Sequence, residues 1–151
     1  MATLTVSISE DITLNGRSRG SELTQSIASI SEVYHRIISV TQNVEHTLLE
    51  LTTNAAHTTG SKVLASGMQY LRITNLDGSN DVVVEVTDSS SEEYAVLLAP
   101  GESYILNNSK MDANATGDSS IGAEGDMTDI DKIAATGSGG ACDVEVFAAI
   151  T

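Results

Sequence analysis

The chain has 151 residues, with 21 Asp and Glu against 7 Lys and Arg and a net charge of −14. Such a field repels nucleic acid and anionic membrane and favours cationic partners, so neither nucleic acid nor a membrane is expected as a partner. The length suits a single domain over 1–151, and four Tyr, one Phe and no Trp leave its core to Val, Ile, Leu and Ala.

Alternation with a period of two runs through most of the chain. In "TLTVSIS", Leu4, Val6 and Ile8 alternate with Thr and Ser, which predicts a half-buried strand. "DITLNG" keeps Ile12 and Leu14 in phase and ends on Asn15-Gly16, a turn dipeptide. "RSRGSE" reads as an exposed loop with a basic pair, Arg17 and Arg19, and residues 1–20 stand apart as an extended N-terminal arm. "MATLTVSISE" has no basic start and no long apolar stretch, so no secretory leader is expected. No apolar run approaches the roughly 20 residues of a membrane-spanning helix.

In "SIASISEVYHRIISVT", Ile27, Ile30, Tyr34, Ile37 and Ile38 have helical spacing, while the β-branched content favours a long strand bent near Glu32. "VEHTLLELTT" and "MQYLRITNL" predict two more strands. Asp77-Gly78 in "DGSND" signals a hairpin into "VVVEVTD". "SSSEE" is a turn before "YAVLLA". Pro100 presets φ at the second position of "APGE" and Gly101 accepts positive φ at the third, which predicts a type II turn into "SYILN". Residues 107–131 form a long acidic loop with six acids and one lysine. "MTDIDKIAA" and "CDVEVFAAI" supply the last strands, with Cys142 expected as a small half-buried thiol. Roughly nine or ten short strands in a row without regular helices predict an all-β antiparallel sandwich or jelly roll.

Chemical motifs are sparse. His35, His46 and His57 recur every eleven residues, whereas metal-binding histidines sit two or four apart on one face. No nucleophile elbow, zinc-protease or phosphate-loop pattern occurs, so no catalysis and no cofactor are expected. "DANATGDSS" opens like a calcium loop, which makes Asp112, Asn114 and Asp118 weak metal candidates. Ala123 stands where the bidentate acid belongs and Glu124 falls one place late, so a solvated acidic loop is the expectation. The absence of Trp disfavours a sugar platform.

"YLRITN" at 70–75, "LAPGES" at 98–103 and the closing "DVEV" at 143–146 resemble small virion proteins of tailed bacteriophages, in which Y-[LV]-R-I-x-N is followed by a strand, L-x-P-G-E-S and a late D-V-E-V strand. The resemblance covers about residues 68–151, with a weaker echo at the N-terminus. It marks a β-sandwich turn grammar and supplies no catalytic residue. It implies a non-enzymatic protein that decorates or cements a capsid, with the major capsid protein or other virion subunits as partners and a homo-oligomeric state. It places the protein on the capsid surface after assembly in the host cytoplasm; the alternative is a tail- or fibre-associated module that binds a host surface. Leu4, Val6 and Ile8 are the expected interaction strand, added to a neighbour's sheet or paired within its own domain. Arg17 and Arg19 are expected to meet an acidic partner surface, and a second copy of this chain would provide one.

Overall fold

The computed structural model describes residues 1–52, 61–107 and 130–151. These fold into thirteen strands: β1 (Ala2–Glu10), β2 (Thr13–Leu14), β3 (Arg17–Ser18), β4 (Ser21–Ile30), β5 (Glu32–Val40), β6 (His46–Thr52), β7 (Lys62–Leu64), β8 (Met68–Asn75), β9 (Asp81–Asp88), β10 (Glu93–Leu98), β11 (Ser103–Leu106), β12 (Ile130–Ser138) and β13 (Cys142–Ile150). The described part of the chain is all-β. Its strands outnumber the expected nine or ten because short pieces at the N-terminus and before β8 also pair.

Four nested antiparallel pairs, β5 with β13, β6 with β12, β8 with β11 and β9 with β10, define the body. Pairing of β13 with β8 and of β12 with β9 joins them into two sheets, β11-β8-β13-β5 and β10-β9-β12-β6, with β7 added parallel to β6. A long hairpin wound on itself in this way is the jelly roll. The strand alternation decides which residues meet between the sheets. Along β9, Val82, Val84, Val86 and Asp88 point inward and are buried, while the residues between them are half-exposed. Leu48, Leu71, Ile73, Ile133, Val144 and Val146 complete the aliphatic core.

Of the two Gly-containing turns, the first departs from expectation and the second has the predicted type, and both carry the chain between sheets. Residues 77–81 do not close a hairpin. β8 already has β11 on one edge and β13 on the other, so β9 cannot pair with it and crosses to the opposite sheet instead. Asp77 makes the corner: its carboxylate accepts the amides of Ser79 (2.8 Å) and Asn80 (2.6 Å), bonds that hold its pKa below the usual carboxylate range. At 99–102 the Glu102 amide donates to the Ala99 carbonyl (3.0 Å) and Gly101 has φ of 80°, as a type II turn requires. This turn also carries the chain between sheets, from β10 to β11.

The two turns are one structure, held by Asn75. Its side-chain amide donates to the carbonyls of Asn80 (2.9 Å) and Leu98 (3.1 Å), and its oxygen accepts the Asp77 amide (3.0 Å). Its backbone bonds both Glu102 and Gly101 at 3.0 Å. "YLRITN" and "LAPGES" are therefore the two halves of a single corner.

Beside that corner, the hydroxyls of Tyr94 on β10 and Tyr104 on β11 meet at 2.7 Å and tie the two sheets. Burial first, and then the bond to Tyr104, push the Tyr94 pKa far above its ordinary value. A raised tyrosine pKa stabilises the fold fully below the unfolded value of about 10, and that contribution is lost as pH rises beyond it. Melting temperature should therefore fall above about pH 10, and Tyr94→Phe should make the fall shallower. Superimposable alkaline profiles of the two proteins would remove Tyr94 from the account.

Candidate interaction site

The N-terminal hairpin rises from the outer face of the β11-β8-β13-β5 sheet. β1 pairs with β4 in its own chain, Leu4 opposite Ile27, Val6 opposite Gln25 and Ile8 opposite Leu23. The expected arm thus extends to residue 30 as a hairpin, and the N-terminal strand takes the pairing within its own domain. At the far end β2 and β3 close on Asn15 (φ 52°) and Gly16 (φ 73°), a type I′ turn. Gly20 lies against the Glu10 carbonyl so closely that a side chain would collide with it, which fixes glycine where β3 passes into β4.

Burial falls steeply along this hairpin. Ile27 and Ile30 pack on Tyr70 and Ala149 in a small second core, with Leu4, Val6, Ile105 and Phe147 around it. The Ser31 amide bonds the Ile150 carbonyl (2.9 Å), and Gln25 exchanges bonds with Asn107 at 3.2 and 3.3 Å. Every residue from 9 to 24 is exposed. The base is thus clamped to the sheet and the tip projects.

Between β1 and the sheet runs a groove of about 400 Å³, with Leu4, Val6 and Ile8 on one side and Tyr70, Ile105 and Phe147 on the other. Phe147 meets the Tyr70 ring edge-on at 6.1 Å and the His35 ring at 5.7 Å. Next to it Glu145 is held from two sides, by Arg72 (2.7 Å) and His35 (2.8 Å). The rest of this face, with Val33 and Ile37 on the edge strand β5, is uncovered.

Nine large apolar side chains are exposed among the described residues, and six of them, Met1, Ile12, Leu14, Leu23, Val33 and Ile37, lie on the arm or on β5. Exposed apolar surface gathered on one side of a molecule marks contact with another. Charge follows the same geography. Lys62 pairs with Glu50, Lys132 with Glu45 and Arg72 with Glu145, while Arg36 stacks on Tyr34 at 5.4 Å. Among the described Lys and Arg, Arg17 and Arg19 at the arm tip have no such partner.

The expected interaction residues therefore share one element but divide along it, with Leu4, Val6 and Ile8 at its clamped base and Arg17 and Arg19 at its tip. Sequence reasoning missed the floor beneath them, Tyr70, Phe147 and Ala149, and that Ile27 and Ile30 of the arm pack on it. Asp112, Asn114, Asp118 and His57 lie outside the described residues, and among the described residues no three His, Cys, Asp or Glu gather as a metal site. His46 accepts from the Thr41 amide (3.1 Å) and shares a bond with its hydroxyl (2.8 Å), a turn-stabilising role. Cys142 is buried, and burial together with Asp77, Asp81 and Asp143 pushes its thiol pKa up, against nucleophilic use. Ser103 and His35 share the outer face but stand three strand spacings apart, about 14 Å, beyond reach of proton transfer.

Comparison with family models, with curated proteins and with solved structures gives no match. The fold and the arm define a class in physical terms, a jelly-roll sandwich with a projecting, partly apolar β-hairpin.

Proposed function

We propose that this chain is a non-enzymatic structural protein of a phage virion, which decorates or cements the capsid shell through contacts with the major capsid protein or other virion subunits and works as a homo-oligomer. The observation that carries this reading is the arm: residues 9–24 are exposed on both faces, carry Ile12, Leu14 and Leu23, and end in two unpaired arginines. A hairpin of this kind serves contact between subunits better than it serves a small ligand, because it offers edges and a stripe rather than an enclosed cavity. The virion assignment rests on the likeness of "YLRITN", "LAPGES" and "DVEV" to small phage virion proteins, because a fold alone does not fix function.

The test is the protein inventory of purified particles of the phage that encodes the chain, with antibody labelling in the electron microscope. Decoration predicts a copy number comparable with the major shell subunit and label over the capsid surface. A few copies per particle with label on the tail would move the assignment to a host-binding tail or fibre module. Absence from the particle would remove the virion role.

A further inference from the structure

The arm tip and the open half of the outer sheet face are both unfilled, and they complement each other. The tip offers Ile12, Leu14 and Leu23, each more than half exposed, with Arg17 and Arg19 beside them. The face offers Val33 and Ile37, 52% and 61% exposed, in the same rows as Ala149 and Glu145, with Asp143 one row further along. The chain's own arm covers only the Tyr70–Ala149–Ile105 part of that face, and its tip touches none of it.

We infer that the arm tip of one copy docks on the β5–β13 side of the outer face of a second copy. This deepens the reading of the chain as a subunit-contact protein by naming a partner, and it rests on that reading. Two molecules of net charge −14 repel unless cations of one meet acids of the other. The described cations with neither an acid nor a ring partner are Arg17 and Arg19, and the open carboxylate on the receiving face is Asp143, since Arg72 and His35 already hold Glu145. Ile12 and Leu14 cover Val33 and Ile37, extending the packing that Ile27 and Ile30 make at the arm's own base. Reciprocal exchange between two copies closes a two-fold dimer, and serial exchange closes a ring.

The full chain tests this directly. In a Cys142→Ala background, Leu14→Cys and Ile37→Cys proteins are oxidised separately and as a mixture. A covalent dimer abundant in the mixture and scarce in either protein alone is the expected result. Wild-type protein should sediment as an oligomer at micromolar concentration. Arg17→Glu with Arg19→Glu should weaken that association about tenfold or more through like-charge contact. These tip residues are exposed, so a far-ultraviolet circular-dichroism spectrum unchanged from wild type confirms that the loss is one of association. A monomer at high micromolar concentration, an oligomer indifferent to the charge reversal, or no mixed cross-link would each overturn the inference. Particle labelling separates it from the virion reading: a capsid-bound but monomeric protein sinks this contact alone, and a self-associating protein absent from particles sinks the virion role alone.

Discussion

Asn75→Ala is expected to cost about 2–4 kcal/mol of unfolding free energy, read as a lower denaturant midpoint with an unchanged slope. Asn75 is fully buried at the end of β8, and its side chain satisfies two carbonyls and one amide from two different segments, the 77–81 turn and the end of β10. Truncation strands all three, and each stranded buried group costs about 1–3 kcal/mol. Asn80 and Asp77 lie near the surface, where water partly replaces the lost bonds, so the total falls short of the sum. For a chain of this size the loss corresponds to a fall of roughly 5–15 °C in melting temperature. Asn75→Asp keeps only the acceptor for Asp77 and turns a carboxylate oxygen toward the Leu98 carbonyl, so it should rescue little. A loss below about 1 kcal/mol for the alanine variant would mean that the corner is held by its backbone bonds alone.

That corner also shows what could be read in the sequence. Alternation located most body strands within a residue or two because each has one face in the core, and Val82, Val84 and Val86 leave no other register, whereas β12 runs on through Ser138, three residues past "MTDIDKIAA". Asn15-Gly16 and Pro100-Gly101 named their own turns, since positive φ restricts residue choice locally. Sheet membership was not legible. "DGSND" has hairpin composition, but whether the next strand pairs or crosses depends on whether both edges of β8 are already occupied, and the occupants β11 and β13 come later in the chain.

The arm was half legible. Leu4, Val6 and Ile8 showed one apolar face, while Ile27 and Ile30 kept helical spacing within a segment favoured as one long strand, which divides at Ser31 into β4 and β5 of different sheets. The register shifts between Leu4–Ile27 and Ala2–Ile30, and Ser29 has φ of 65°. This bulge places an extra residue in β4, so that two isoleucines three apart share a face. The floor was hidden for a related reason. β8 and β13 are covered on both sides, by the core and by the arm, so Tyr70-Leu71 and Ala148-Ala149-Ile150 read as runs rather than as alternation.

The separation of the small second core from the sandwich core leads to a further expected result, on Ile30→Ala. Ile30 is buried against Tyr70 and Ala149, and deleting its side chain should cost about 2–4 kcal/mol. The arm should open before the sandwich, because the aliphatic core between the sheets contains none of these four residues: Ile27, Ile30, Tyr70 and Ala149. At a factor of ten per 1.4 kcal/mol, amides of β1 and β4 should exchange with solvent roughly 30 to 700 times faster. Amides of β9 and β12 open only globally and lose up to the same free energy, but they should stay better protected than those of β1 and β4 in both proteins. Equal protection of all four strands in the wild-type protein would show that arm and sandwich unfold as one unit, and the hairpin would then be a structural layer of the domain rather than a limb able to reach a neighbour.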